Sequence, residues 1–183
     1  MKSEKNSVRF ITYSAMGIAL VILAQWLGSI LPAGAVIAGP FTVKQLITGS
    51  LVNCILIVFA ARAGAGCAVT VGLLSAVLAS VLGVGPQVLP IVPFIACGNT
   101  IMALLYWLLS VKGNFPPLAG VFSAAAAKCA FLWLTVPFVL RTLASVPAKQ
   151  AAALSVMFSW PQGLTALAGG LMALLIIPRL PGK

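Results

Sequence analysis

Histidine is absent from this chain of 183 residues, and Glu4, near the N-terminus, is its only acidic residue. Without histidine, and without Asp or Glu in any apolar segment, general acid–base catalysis and metal-assisted hydrolysis lose their usual side chains. The carboxylate relay by which many secondary transporters move protons or sodium has no members here. No G-x-x-x-x-G-K-[ST] string occurs, so the chain does not hydrolyse ATP through a P-loop. The nearest glycine-rich stretch, Gly64-Ala65-Gly66, reads as a tight interhelical turn. Four cysteines (Cys54, Cys67, Cys97 and Cys129) lie inside apolar segments at spacings of no metal or redox motif and read as small core residues.

What is present is apolar. Hydrophobic residues make up 62% of the chain and charged residues 7%. This composition specifies a single all-α integral membrane domain, residues 1–183, with almost no extramembrane mass. The net charge of +10 comes from basic residues scattered singly at helix ends. Orientation signals and lipid headgroup contacts belong there, and nucleic-acid binding is not implied. The first apolar run is too long for a cleaved signal peptide. Hydrophobic runs separated by Gly, Pro and single charges predict a bundle of six transmembrane helices, near 9–31, 45–62, 65–83, 91–111, 117–140 and 151–178. Lys2, Lys5, Arg9, Arg62, Lys112, Arg179 and Lys183 fall on one side of such a bundle, and Lys44, Arg141 and Lys149 on the other. The positive-inside rule then puts both termini in the cytoplasm. The outer loops become 32–44, 83–90 and 141–149.

Lys128 is the anomaly. It interrupts an otherwise uncharged run over 116–140 whose two halves are each too short to span a bilayer, which takes about 20 apolar residues. A lysine mid-membrane with no carboxylate to pair must lose its proton, reach water, or take its counter-charge from something that is not protein. The third course makes this a binder of a small anion. A neutral lysine activating a serine is the one catalytic alternative. Ser123 lies five residues earlier, about 500° of helical rotation, so the two side chains diverge by roughly 140°. Nothing selects Ser75, Ser80 or Ser159 in its place, and the expectation is no enzyme.

Depth follows from a rise of about 1.5 Å per residue: Lys128, Asn99 and Gln162 lie roughly 18, 12 and 16 Å below the outer helix ends. Polar side chains at such depth face the protein interior. Simpler roles exist for each. Asn99 suits an interhelical hydrogen bond, Lys128 a long snorkel, and Gln162 the Met157 carbonyl that Pro161 leaves without a donor. Asn53 reads as structural glue. Trp133, Trp160, Phe158 and Tyr106 suit the wall of a pocket or ordinary helix packing. The apolar, glycine-containing loop 32–44, which carries Phe41 and runs into Lys44 and Gln45, reads as a lid.

Ala15 and Ala19 on the first helix, four residues apart, permit close approach of another helix, as do Gly72 with Ala76 and Ala166 with Gly170. With the strings Ile47-Thr48-Gly49-Ser50-Leu51-Val52-Asn53, Pro93-Phe94-Ile95-Ala96-Cys97-Gly98-Asn99 and Pro161-Gln162-Gly163-Leu164-Thr165-Ala166, the chain resembles the substrate-binding membrane subunits (S components) of energy-coupling factor vitamin transporters. That resemblance implies a multi-pass protein of a bacterial cell membrane, without a cofactor. It implies capture of a vitamin-like molecule from outside by helices four to six, under the loop between the first two. Ala15 and Ala19 would dock on a transmembrane coupling subunit driven by two cytoplasmic ATPase subunits. The lysine argues for a carboxylate cargo, of which biotin, lipoate, pantothenate and nicotinate are examples. A ligand-free assembly protein and a stand-alone secondary transporter are the alternatives.

Overall fold

The computed structural model describes residues 2–32, 34–143 and 145–180. Its order is α1 (Lys2–Ile30), β1 (Val36–Ala38), β2 (Phe41–Thr42), α2 (Val43–Ala63), α3 (Ala65–Val81), α4 (Val92–Tyr106), α5 (Pro117–Thr142), α6 (Ala148–Met157) and α7 (Trp160–Ile176). Five stretches are long and apolar enough to cross a membrane: Asn6–Ile30, Val43–Ala63, Leu89–Lys112, Pro117–Thr142 and Ala148–Arg179. α3 is apolar too, but its 17 residues reach only about 26 Å, a little under the hydrocarbon thickness. The chain is an all-α, multi-pass membrane protein.

Residues at the helix ends explain the boundaries. Residues 36–42, in the segment expected to be a lid, form a small antiparallel hairpin, with Val36 opposite Thr42 and Ala38 opposite Phe41. Gly39 supplies the positive φ its turn requires. The hairpin runs directly into α2 through a capping box. The Gln45 N–H donates to Thr42 Oγ1 at 3.5 Å, and the Thr42 N–H donates to Gln45 Oε1 at 2.9 Å. α4 is preceded by a 3-10 turn, Leu89–Ile91, and ends in a π-helical turn, Trp107–Lys112.

The sixth predicted helix is corrected: it is not continuous over 151–178 but breaks at Phe158 and Ser159 into α6 and α7. Pro161 is the cause, since its ring crowds the carbonyl of residue 157 and it has no N–H to give it. Gln162 Nε2 donates to that Met157 oxygen at 3.2 Å, as its position after the proline anticipates.

α2 is central, packing on α1, α3, α4 and α7, while α5 packs on α4, α6 and α7. Small residues set the closest approaches. A Cβ added at Gly169 of α7 would lie 2.7 Å from the Asn53 Cβ on α2, so only glycine lets these helices meet. Two apolar clusters result. One, around Leu56, Ile57, Met102 and Val121, lies toward the end that carries the termini. The other, around Ile91, Leu132, Val136 and Phe158, lies toward the hairpin. Lys128 falls between them along α5. Cys54 and Cys67 are buried as expected of small core residues, Cys129 is half-buried, and Cys97 departs from that reading by facing outward.

Candidate functional site: a buried lysine held by two amides

Lys128 is 3% exposed and points into the bundle. Its Nζ donates to Asn53 Oδ1 at 2.5 Å and to Asn99 Oδ1 at 2.7 Å. Three helices therefore converge on one ammonium: α2, α4 and α5. A lysine can only donate, so both amide oxygens must face it, and both amide NH2 groups must point elsewhere. Asn53 Nδ2 donates to Thr165 Oγ1 on α7 at 3.4 Å, and Thr165 Oγ1 donates to the Gln162 carbonyl at 3.2 Å. The close contact of Gly169 with Asn53 is what brings α7 into this chain of bonds.

The arrangement satisfies two of the three ammonium protons and supplies no negative charge. Amide dipoles stabilise the cation in part, but its net charge remains in a region with no acidic side chain. One proton on Lys128 and the Asn99 NH2 group have no hydrogen-bond partner among the described residues.

Beside this cluster is a cavity of about 170 Å³. Lys128, Asn53, Asn99, Gln162, Gln25 and Phe158 line it, together with Gly49, Val52, Ala76, Pro86 and Ile95. Each of the six predicted helical segments contributes, from its middle or from the half nearer the hairpin. The cavity thus opens in the half of the bundle that carries the hairpin. Pro86, in the link between α3 and α4, is held at the rim because Ser80 Oγ donates to its carbonyl at 2.8 Å.

The structure brings Lys128, Asn99 and Gln162 to one cavity together with Phe158, and it does not bring the other expected aromatics there. Trp133 is 61% exposed and faces out of the bundle. It lies five residues beyond Lys128, so its side chain diverges by the same 140° or so that separates Ser123 from the lysine. Tyr106 is buried on the Asn99 face of α4 but two helical turns closer to the terminal end, about 10 Å away along the axis. Trp160 is half-exposed and does not line the cavity; it meets the buried Phe41 ring edge-on, with centroids 5.4 Å apart. Gln45 is committed to its capping box and to a 3.6 Å contact from its Nε2 to Met157 Sδ. Phe41 and Gln45 thus tie the hairpin to the α6–α7 break rather than facing the cavity. Lys44 Nζ reaches the Ser29 carbonyl at 3.4 Å.

Two polar lining residues, Asn53 and Gln25, are not among the expected site residues. Asn53, read as glue, holds the lysine directly. Gln25, a lone amide in the apolar run of α1, carried the same signal as Asn99 but lies on a helix outside the last three.

Ala15 and Ala19 both face outward, while Gly17 between them takes the inward packing position. The pairs Gly72 with Ala76 and Ala166 with Gly170 are buried within the bundle. Of the three small-residue pairs, the one on α1 is left open.

Comparison of the chain with protein families, with curated proteins and with solved structures finds no match.

Proposed function

We propose that this chain is the cargo-capture subunit of an importer of the energy-coupling factor type, with six membrane-crossing segments and both termini in the cytoplasm of a bacterium. The observation that carries the reading is Lys128: a buried ammonium with one proton to spare, no carboxylate to neutralise it, and a cavity against it. An anionic cargo supplies the missing charge. The cavity lies in the half of the bundle that carries the hairpin, which supports entry from the outer side, and the capping box gives the hairpin a fixed root.

Energy must come from elsewhere in this reading. The sequence has neither a P-loop nor an intramembrane carboxylate, so a coupling subunit and two ATPase subunits drive release. The outward pair Ala15 and Ala19 supports α1 as the face that docks on the coupling subunit.

The test is reconstitution. The purified chain gains thermal stability with its cargo, by about 2.7 kcal/mol at a ligand concentration one hundred times Kd. Uptake into proteoliposomes requires the coupling subunit and ATP. Uptake by this chain alone would establish a stand-alone transporter instead. A protein that no small carboxylate stabilises would be an assembly component.

A further inference from the structure

We propose that the Lys128 cavity selects a compact monoanion: one six-membered ring, or an acid of that size, bearing a single carboxylate and a second hydrogen-bonding atom remote from it. This rests on the reading of the chain as a cargo-capture subunit and narrows its cargo.

Volume sets the first limit. At about 170 Å³ the cavity falls below the range of drug-sized sites. A cavity of about 150 Å³ is known to hold one benzene. One ring with a small substituent therefore fills this space, whereas the acyl tail of a fused bicycle such as biotin would have to project from the cavity's open side. Lipoate and pantothenate exceed it as well.

Charge sets the second. Among the described residues, Lys128 is the only charged one that lines the cavity. One carboxylate is met by its third N–H and by the neighbouring Asn99 NH2, whose oxygen is turned to the lysine. A second anionic group would be buried without a partner.

The remaining amides set the third. Gln162 spends its Nε2 on Met157, leaving Oε1, and the Gln25 amide makes no hydrogen bond to the described residues. A ring without a polar atom would leave both desolvated and unpaired. Val52, Ile95 and Phe158 supply the apolar wall between these amides and the lysine.

The experiment is calorimetric titration of the full chain in detergent, after removal of bound small molecules. The single-ring acids are nicotinate, isonicotinate, 4-aminobenzoate and benzoate; the comparators are nicotinamide, isophthalate and biotin. At least one of the three acids with a second polar atom is expected to bind about 10- to 100-fold more tightly than benzoate and than nicotinamide. Isophthalate and biotin are expected to give no signal. Binding of biotin, isophthalate or nicotinamide as tight as that of the best single-ring acid overturns the proposal, and so does silence from all four single-ring acids. The capture reading is judged separately, by mass spectrometry of what co-purifies with the chain. A larger acid that co-purifies and rebinds refutes the size limit and leaves capture standing. No co-purifying molecule and no binding by any acid refutes both.

Discussion

Removing Asn53 should harm this protein more than removing the charge it holds. In Asn53→Leu the Lys128 ammonium loses its 2.5 Å acceptor and keeps only Asn99, at 2.7 Å. A hydrogen bond to a charged group contributes about 1.5–3 kcal/mol. The loss falls on a cation that is 3% exposed. In Lys128→Met the side-chain volume is nearly kept and the ammonium is gone. Two amide oxygens lose their donor, at about 1–3 kcal/mol each. That is offset by no longer burying a charge, whose effective penalty is several kcal/mol. The lysine variant is therefore near neutral in stability, and in its background Asn53→Leu costs little further. The double-mutant cycle, read by reversible unfolding in detergent, should give a coupling of at least about 1.5 kcal/mol. Neutral interhelical hydrogen bonds in membranes average about 0.6 kcal/mol. A coupling at or below that value would mean that Lys128 does not depend on Asn53, and the electrostatic account would be wrong.

Other substitutions separate the parts of the site. Gly169→Ala places a methyl 2.7 Å from the Asn53 Cβ; overpacking of about 1–3 kcal/mol is expected in unfolding measurements, with weaker cargo binding because Asn53 is displaced from Lys128. Trp133→Ala removes a side chain that faces away from the cavity, so calorimetry should find the cargo affinity unchanged within about twofold. Ala15→Trp with Ala19→Trp should leave folding and cargo binding intact while abolishing ATP-dependent uptake in proteoliposomes, because the bulk is added only to an outward face.

Much of this was legible in the sequence, for identifiable reasons. The all-α, multi-pass character followed from apolar runs, although five stretches rather than six are long enough to cross a membrane; the convergence of Lys128, Asn99 and Gln162 followed from depth counting, since polar groups in lipid must turn inward. The Gln162 bond to Met157 followed from the chemistry of Pro161. For the aromatics, rotation about the helix axis decides which face each side chain takes. Trp133 was placed near Lys128 by sequence distance alone, although a five-residue offset turns it away. The break at Phe158 and Ser159 was missed because hydropathy runs unchanged through it; the proline three residues on was the available signal. Asn53 holds the lysine because α2 lies against α7 and within reach of the Lys128 side chain on α5, a tertiary arrangement set in part by Gly169 and not by any local pattern. Gln25 carries the signal of a lone amide in an apolar run, but it is the packing of α1 on α2 and α3 that brings it to the cavity.

The central claim is that Lys128 holds an anionic cargo. Its most direct test is mass spectrometry of small molecules released from purified wild-type protein and from Lys128→Met, prepared side by side. A small carboxylate released in near-stoichiometric amount from the wild type and absent from the variant is the predicted result. The same molecule from both proteins, or a neutral molecule from the wild type, would contradict it.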